Sequence, residues 1–288
     1  MMDRRLFITL LMQGPITLKA FSQSPSEDFT RLLSELESDA EAVLKAKRFN
    51  ELINLSFVPP PETLAQRPDL PRTFRRPSRR IISPQTRQLL ISAEVSSRSL
   101  YERRFRTPIW PKGQSGVTIA IGYDIGYVTK SQFRTDWTGY IDNDRINALE
   151  SACEIKANNA QSAADNLQHV EIKWEEAVRQ FDYFVKLYMN LVEATFPNCN
   201  QISDNSFGAL TSIVYNRGNG MNSRQNDPLD RRREMREIRT LMSQERFREV
   251  PDRIRSMKRI WQGDPDARGL LIRREAEAKL FEIGLNGS

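Results

Sequence analysis

Apolar residues recur at helical spacing along most of the chain. Ser24-Pro25 supplies an N-cap and a proline at the first helical position, and the periodicity that follows predicts a helix to about Leu55. Ser83-Pro84 repeats this start and predicts a second helix to about Arg98. Further helices are predicted at about 131–138, 142–152, 157–166, 173–195, 204–217, 229–243, 246–261 and 268–283.

One stretch breaks the helical pattern. Residues 115–126 read SGVTIAIGYDIG, a β-prone run bounded by glycines, which is typical of a hairpin. This run carries the hydroxyl of Thr118 and the carboxylate of Asp124. The predicted fold class is therefore α+β and predominantly α-helical, with a small β-hairpin beside a helical core.

Proline and arginine dominate the stretch between the first two helices. Residues 58–84 hold seven prolines, a content that cannot sustain a helix and predicts an extended linker. The basic residues of Arg72–Arg80 are interpreted as solvated within it. The predicted organisation is an export signal at 1–22, an N-terminal helical segment at 23–57, a Pro/Arg-rich linker at 58–83 and the main domain at 84–288.

The N-terminus has the order of an export signal. Arg4-Arg5 precedes the apolar run Leu6–Met12, and Ala20-Phe21-Ser22 satisfies a small-x-small cleavage rule. The residues around Arg4-Arg5 also resemble a twin-arginine signal. We therefore expect a periplasmic or secreted protein; an ordinary amphipathic N-terminus would instead leave it in the cytoplasm. No stretch reaches the roughly 18–20 apolar residues of a membrane span, so no stable membrane insertion is expected.

Charge and residue types narrow the chemistry. A net charge of +6 and a pI near 9.4 favour polyanionic surroundings such as nucleic acid, anionic lipid or the bacterial wall. The single histidine, His169, excludes a His-rich zinc site and argues against a Ser-His-Asp triad. Cys153 and Cys199 lack metal-ligand spacing, and either one disulfide or two buried thiols fits them. Neither a metal nor a cofactor is predicted, and carboxylates are the obvious catalytic groups.

Two carboxylates and a hydroxyl fit the hydrolysis of a glycosidic bond. That reaction needs an acid held neutral in a partly apolar pocket and a second carboxylate that acts on water or on the sugar. Glu94 fits the first role because apolar residues precede it near a helix end, and Asp124 fits the second at a glycine-hinged turn. Thr118 is suited to orienting the water. Taken singly, a glutamate near a helix end is usually a surface acid, and Glu102, in the charged run YERRFR, is a rival acid with that expected role.

In combination these residues resemble a known family. Glu94, the segment TPIWPKG around Trp110 and the hairpin SGVTIAIGYDIG look like the lysozyme-like muramidases, most of all the pesticin catalytic domain and its bacterial relatives, and more distantly the phage lysozymes. Thr118 precedes Asp124 by six residues, as in the family's G-V-T-I-G-x-G-Y-D hairpin, and Glu94 lies 24 residues before Thr118. The segments 207–218 and 256–277 resemble the family's core and C-terminal helices, so the resemblance spans about residues 84–284.

The resemblance implies a lysozyme-like fold and an exported muramidase that cleaves the MurNAc–GlcNAc β-1,4 bond of peptidoglycan. It implies that Arg273, ahead of Arg274, pairs with Glu94. Trp110 and Tyr123 either stack on sugar rings or pack the hairpin against the helices. Asn216 either hydrogen-bonds near the cleft or caps its helix. Inversion is expected, with Thr118 holding the water, although sequence spacing does not give the carboxylate separation that decides between inversion and retention.

The sequence departs from the family at two positions, and other functions stay open. Val95 replaces a glycine common in phage enzymes, and Ala120 replaces the glycine after Thr-Ile, where it would narrow the approach of the backbone to the sugar. The alternative function is a catalytically inactive wall-binding module or scaffold on the same fold. Arginine clusters without a helix-turn-helix or aromatic RNP signature do not predict a nucleic-acid partner. The protein is expected to be a monomer that acts on peptidoglycan glycan strands.

Overall fold

The computed structural model describes residues 25–46, 76–222 and 227–286. The predicted export signal at 1–22 lies outside the described residues, as does most of the predicted linker at 58–83. The described part is predominantly helical and contains one two-stranded antiparallel sheet, which confirms the predicted α+β class.

The N-terminal helix is shorter than predicted. α1 spans Pro25–Ser38, and the chain is helical again at 40–46. Asp39 separates the two helical stretches, because its Oδ1 accepts a hydrogen bond from Ala42 N at 2.9 Å and so caps the second one. The prediction of one continuous helix to Leu55 is therefore wrong at Asp39, and its last residues lie outside the described part of the chain.

A succession of helices surrounds the hairpin. α2 spans Pro84–Val95 and α3 spans Arg98–Arg104, followed by β1 (Thr118–Ile119) and β2 (Tyr123–Asp124). Thr118 pairs with Asp124, and Ile119 with Tyr123, in antiparallel register. The later helices are α4 (Lys130–Trp137), α5 (Asn143–Leu149), α6 (Asn159–Asn166), α7 (Trp174–Thr195), α8 (Asp204–Arg217), α9 (Arg233–Ser243), α10 (Val250–Ser256) and α11 (Arg268–Asn286).

Three predicted helix boundaries are wrong for local reasons. The helix predicted at 229–243 begins only at Arg233, because Asp230 takes a positive φ of 40°. The helix predicted to reach Arg98 ends at Val95, because Ser96 takes a positive φ of 62°. The helix predicted at 246–261 is divided into α10 and a 3₁₀ turn on each side of it. Pro251 has no N–H and fits only the first turn of a helix, so α10 starts there.

Two hydrophobic clusters form the core. The first joins α1 to α8, α9, α10 and α11, and the second packs the hairpin against α3 to α7. α2 belongs to both, since Leu89 enters the first cluster and Leu90 the second, and α7 does the same through Val192 and Phe181. These two helices therefore join the clusters into one body.

The end of the predicted linker is anchored to this body. Arg80 donates hydrogen bonds to Cys199 O at 2.7 Å and Ile202 O at 3.0 Å, and its guanidinium lies 4.1 Å from the centre of the Phe207 ring. Ser78 is buried and donates to Glu193 Oε1 at 2.6 Å. The interpretation of Arg80 as a solvated linker residue is therefore wrong.

Both cysteines are buried free thiols. Cys153 lies in the second cluster and Cys199 in the first, which excludes a disulfide between them in this fold. Burial raises the pKa of the Cys153 thiol to about 12. As for membranes, none of the helices in the described residues is both long and apolar enough to span a bilayer.

The crossing of α8 over α2 yields the first prediction. A Cβ added at Gly208 would lie 1.7 Å from Thr86 Oγ1, and Thr86 is itself buried. Helix propensity alone favours alanine over glycine by about 1 kcal/mol, whereas overpacking a core costs about 1–3 kcal/mol. The net of these two effects is expected to lower the free energy of unfolding of Gly208→Ala, measured in urea, by up to about 2 kcal/mol. An increase would show that the two helices do not cross this closely.

Candidate active site

A cavity of about 160 Å³ lies where the two hydrophobic clusters meet. Its walls come from α1, α2, the hairpin, α8 and α11, among others. Five residues predicted from the sequence line it together: Glu94, Thr118, Asp124, Asn216 and Arg273. The fold thus brings to one place residues that are as far as 179 positions apart in the chain.

Glu94 lies in the last turn of α2 and is only 7% exposed. Arg273 Nη1 donates a hydrogen bond to Glu94 Oε1 at 2.8 Å, so the expected ion pair is present. A buried charge is costly unless it is paired. The pair with Arg273 therefore explains how a glutamate can be buried at the cavity wall.

A buried polar network holds Arg273 in place. Its Nε donates to Glu277 Oε1 at 3.2 Å and its Nη2 to Ser212 O at 3.1 Å. Arg274 donates to the same oxygen of Glu277 at 2.7 Å, so two guanidiniums share the cluster with two carboxylates. Burial opposes the charge of Arg273, but Glu94 and Glu277 raise its pKa above the ordinary value. Burial lowers the pKa of Arg274 to about 10.

The turn of the hairpin lies directly against Glu94. Gly122 has a φ of +80°, and a Cβ added there would lie 3.0 Å from Glu94 Oε2. Glycine is favoured for two reasons, the positive φ and the lack of space. Tyr215 fixes the turn by donating its hydroxyl to Ile121 O at 2.9 Å. Burial, together with the nearby Glu94, raises the pKa of Tyr215 well above its ordinary value, which keeps this hydroxyl a donor.

Thr118 and Asp124 reach the cavity from the hairpin. They are directly opposite in the antiparallel register, so their side chains share one face. Asp124 accepts hydrogen bonds from Gly116 N at 3.1 Å and from Gly126 N at 2.9 Å. These bonds orient the carboxylate. They also give Asp124 a structural role in closing the hairpin.

The two aromatic residues predicted beside the cleft belong to the second hydrophobic cluster or pack against it. Tyr123 is 2% exposed, its hydroxyl donates to Asp136 Oδ2 at 2.6 Å, and its ring centre lies 5.5 Å from that of Trp137. Trp110 is half-buried, and its Nε1 donates to Ser115 O at 3.1 Å. Neither lines the cavity. Of the two alternatives stated for them, the structure shows packing of the hairpin for the buried Tyr123; Trp110 packs against the same cluster and keeps part of its surface exposed.

Of two further residues considered from the sequence, Asn216 lines the cavity and Glu102 does not. Asn216 Oδ1 accepts a hydrogen bond from Arg274 Nη2 at 3.3 Å, and Gly218, not Asn216, caps α8. Glu102 lies on the surface, 3.7 Å from Arg98 Nε, and does not line the cavity. The rival acid therefore has the surface role expected for it.

The departure at Ala120 concerns the backbone rather than the cavity. Ala120 is 3% exposed, does not line the cavity, and has a φ of +51°. This is the left-handed region, where glycine is favoured and alanine is strained. The expected narrowing of the approach to a sugar is therefore not what this alanine causes.

Sequence reasoning missed several residues of this site. Glu277 follows Arg273 by four residues, one helical turn, and that spacing was the available signal for it. Tyr215 immediately precedes Asn216 in the segment that was singled out. Nothing in the sequence marked the part of the cavity wall that comes from the N-terminal segment, namely Leu36, Val43 and Ala46.

The buried ion pair generates a stability prediction. Removing Arg273 leaves Glu94 without its cation in a buried site, and breaking such a pair costs about 3–5 kcal/mol. We expect Arg273→Met to lower the free energy of unfolding in urea by that amount. Arg248→Met, at an exposed position, is the matched control and is expected to change it by less than about 0.5 kcal/mol. Equal effects of the two substitutions would contradict the buried pair.

The described residues contain no group of histidine, cysteine, aspartate and glutamate side chains able to hold a metal ion. Comparison with protein-family models and with curated proteins finds no match for this chain. The function must therefore be inferred from the residues of the site itself.

Proposed function

We propose that the protein is a lysozyme-like muramidase that hydrolyses the MurNAc–GlcNAc β-1,4 bond of peptidoglycan. The observation that carries the proposal is that Glu94, Thr118 and Asp124 line one cavity. The set suits glycoside hydrolysis, which needs two carboxylates and a positioned water.

In the proposed reaction, Glu94 acts as the general acid. It gives a proton to the glycosidic oxygen as the bond from that oxygen to the anomeric carbon breaks. Oε2 lies on the side of the Gly122 turn and is the oxygen that gives the proton in this scheme, while Oε1 accepts the hydrogen bond from Arg273. Arg273 is a positioning residue, because its contacts with Glu277 and Ser212 keep the guanidinium in place throughout.

Asp124 and Thr118 act on the water in this scheme. The water oxygen bonds to the anomeric carbon, and one water proton passes to the Asp124 carboxylate. Thr118, on the same face of the hairpin, holds that water by a hydrogen bond. Water attack with Asp124 as base gives inversion at the anomeric carbon. Proton return from Asp124 to Glu94 through solvent restores the enzyme.

Peptidoglycan fits the remaining properties of the chain. The net charge of +6 favours association with the anionic bacterial wall. Export through the N-terminal signal would bring the enzyme to its substrate, where it acts as a monomer on glycan strands. A wall-binding module without activity is the second candidate, and it is favoured by the use of the Asp124 carboxylate to bind Gly116 and Gly126 N–H.

Product analysis separates these two functions. Purified full-length protein is incubated with peptidoglycan, and the released fragments are analysed by mass and for reducing ends. We expect new reducing muramic-acid ends, and a loss of about 10²–10⁴-fold in rate for Glu94→Gln, because that variant cannot donate the proton. Wall binding is expected to persist in this variant. Cleaved peptides, or binding without any product from the wild type, would contradict the muramidase.

The Gly122 turn offers a second test with a matched control. In Gly122→Ala the Glu94 carboxylate would have to move by a few tenths of an ångström to make room for the new methyl group. Misplacement of a catalytic group by about 1 Å costs about 10²-fold in rate, so we expect kcat to fall by a smaller factor, several-fold. Gly139 has a similar φ of +88° but no atom within 4 Å of an added Cβ. Gly139→Ala therefore carries the backbone strain alone, and we expect its kcat to match the wild type. Equal losses of kcat in both variants would show that strain, and not Glu94, is responsible.

A further inference from the structure

The helix that carries Glu94 ends in an unusual turn. Ser96 has φ 62° and ψ −69°, and Ser97 N donates to Val95 O at 2.7 Å. This is a γ-turn with positive φ at its centre, a rare and strained conformation for a residue with a side chain. Strained backbone persists only where its surroundings hold it, and it concentrates at functional sites. Here it lies two residues beyond Glu94.

The end of α1 holds this turn. Ser96 is 1% exposed, and its hydroxyl lies 2.9 Å from Leu36 O and 3.1 Å from Glu37 O. These carbonyls belong to the last turn of α1, where a helix leaves its C=O groups without intrahelical partners. The hydroxyl therefore provides a hydrogen-bond donor for the carbonyl groups at the end of α1, and the same contact holds the γ-turn in place.

The same contact continues along α2. Ser92 Oγ donates to Glu37 Oε1 at 3.0 Å, and Gln88 Nε2 donates to that oxygen at 3.2 Å. Gln88 and Ser92 are four residues apart on one face of α2, and Ser96 follows directly after the last residue of that helix. Glu94 projects from a different side, since residues two positions apart in a helix do not share a face. The end of α1 thus contacts α2 on a face of the helix other than the one that carries Glu94.

α1 also contacts the helix of the other member of the ion pair. Lys279 on α11 lies 3.0 Å from Asp28, and Arg268 on α11 forms ion pairs with Glu35 and Asp39. Leu36, 1% exposed, additionally lines the cavity beside Glu94. The N-terminal segment therefore packs against both α2 and α11, the helices that carry Glu94 and Arg273.

We propose that Leu36 and Glu37, at the end of α1, are part of the active site, and that Ser96 is a positioning residue through which α1 sets the place of Glu94. This inference rests on the proposed hydrolysis of peptidoglycan for its catalytic consequence. The geometric part, that the Ser96 hydroxyl holds the turn, is independent of any activity. Without that hydroxyl the γ-turn relaxes and the last turn of α2 shifts.

The test compares Ser96→Ala with Ser38→Ala in the full chain. Ser38 Oγ donates to Glu35 O on the exposed side of α1, so its loss removes a serine hydroxyl bond that does not reach α2. On peptidoglycan, below the melting transition of each variant, we expect Ser96→Ala to lower kcat at least about tenfold while KM changes less than about threefold. Ser38→Ala is expected to leave both constants unchanged. A folded Ser96→Ala protein with wild-type kcat would overturn the inference.

A second pair of variants covers the case in which Ser96→Ala does not fold. Glu37→Ala removes the acceptor for Ser92 and Gln88, whereas Glu37→Gln keeps an acceptor oxygen at that position. We expect kcat to fall several-fold in Glu37→Ala and to be restored in Glu37→Gln. Equal kcat values in these two variants would contradict the role of α1.

Amide exchange separates this inference from the proposed function. The Ser97 N–H closes the γ-turn, so its exchange with deuterium reports the turn directly. We expect it to quicken at least about tenfold in Ser96→Ala and to be unchanged in Ser38→Ala. If the wild type cleaves no peptidoglycan, the muramidase proposal fails, and Ser97 exchange alone decides: faster exchange supports the positioning role, and unchanged exchange overturns it.

Discussion

The ion pair between Glu94 and Arg273 is the constraint on which the rest of the site depends. A carboxylate that is 7% exposed needs a cation at hydrogen-bond distance, and Arg273 supplies it from the other end of the chain at 2.8 Å. The arginine in turn needs Glu277 and Ser212 on its remaining N–H groups. α2, α8 and α11 must therefore meet at one point, which is where the two hydrophobic clusters join. The site is built at this junction and not on a surface loop.

The hairpin completes the site because its turn lies in contact with the Glu94 carboxylate. Gly122 lies against Glu94, and Tyr215 ties the neighbouring carbonyl of Ile121 to α8. The side chains of Thr118 and Asp124 then face the cavity because of the register of the two strands. A short β element is the suitable device here, since it places a hydroxyl and a carboxylate on one face without a large sheet.

The sequence was sufficient for the parts that depend on local pattern. The amphipathic helices and the glycine-bounded hairpin were predicted from it, whereas the pairing of Arg273 with Glu94 was implied by the resemblance to the muramidase family and by no local pattern. The sequence was insufficient where tertiary contacts determine the end of a helix or the position of a side chain. The break at Asp39 depends on a side-chain cap, the end of α2 at Ser96 on carbonyls of a distant helix, and the place of Tyr123 on packing against Trp137. Periodicity carries no information about such partners, and for the same reason the contribution of Leu36 to the cavity was not foreseen.

Under the proposed function, Glu94 and Asp124 flank the bond that is cleaved. This arrangement is tested most directly by the crystal structure of the Glu94→Gln variant with a peptidoglycan tetrasaccharide. We predict the glycosidic oxygen within about 3.2 Å of the side chain of residue 94, with Thr118 and Asp124 beside the anomeric carbon on the opposite face of the sugar ring. A saccharide bound outside this cavity, or one with both carboxylates on the same face of the ring, would contradict it.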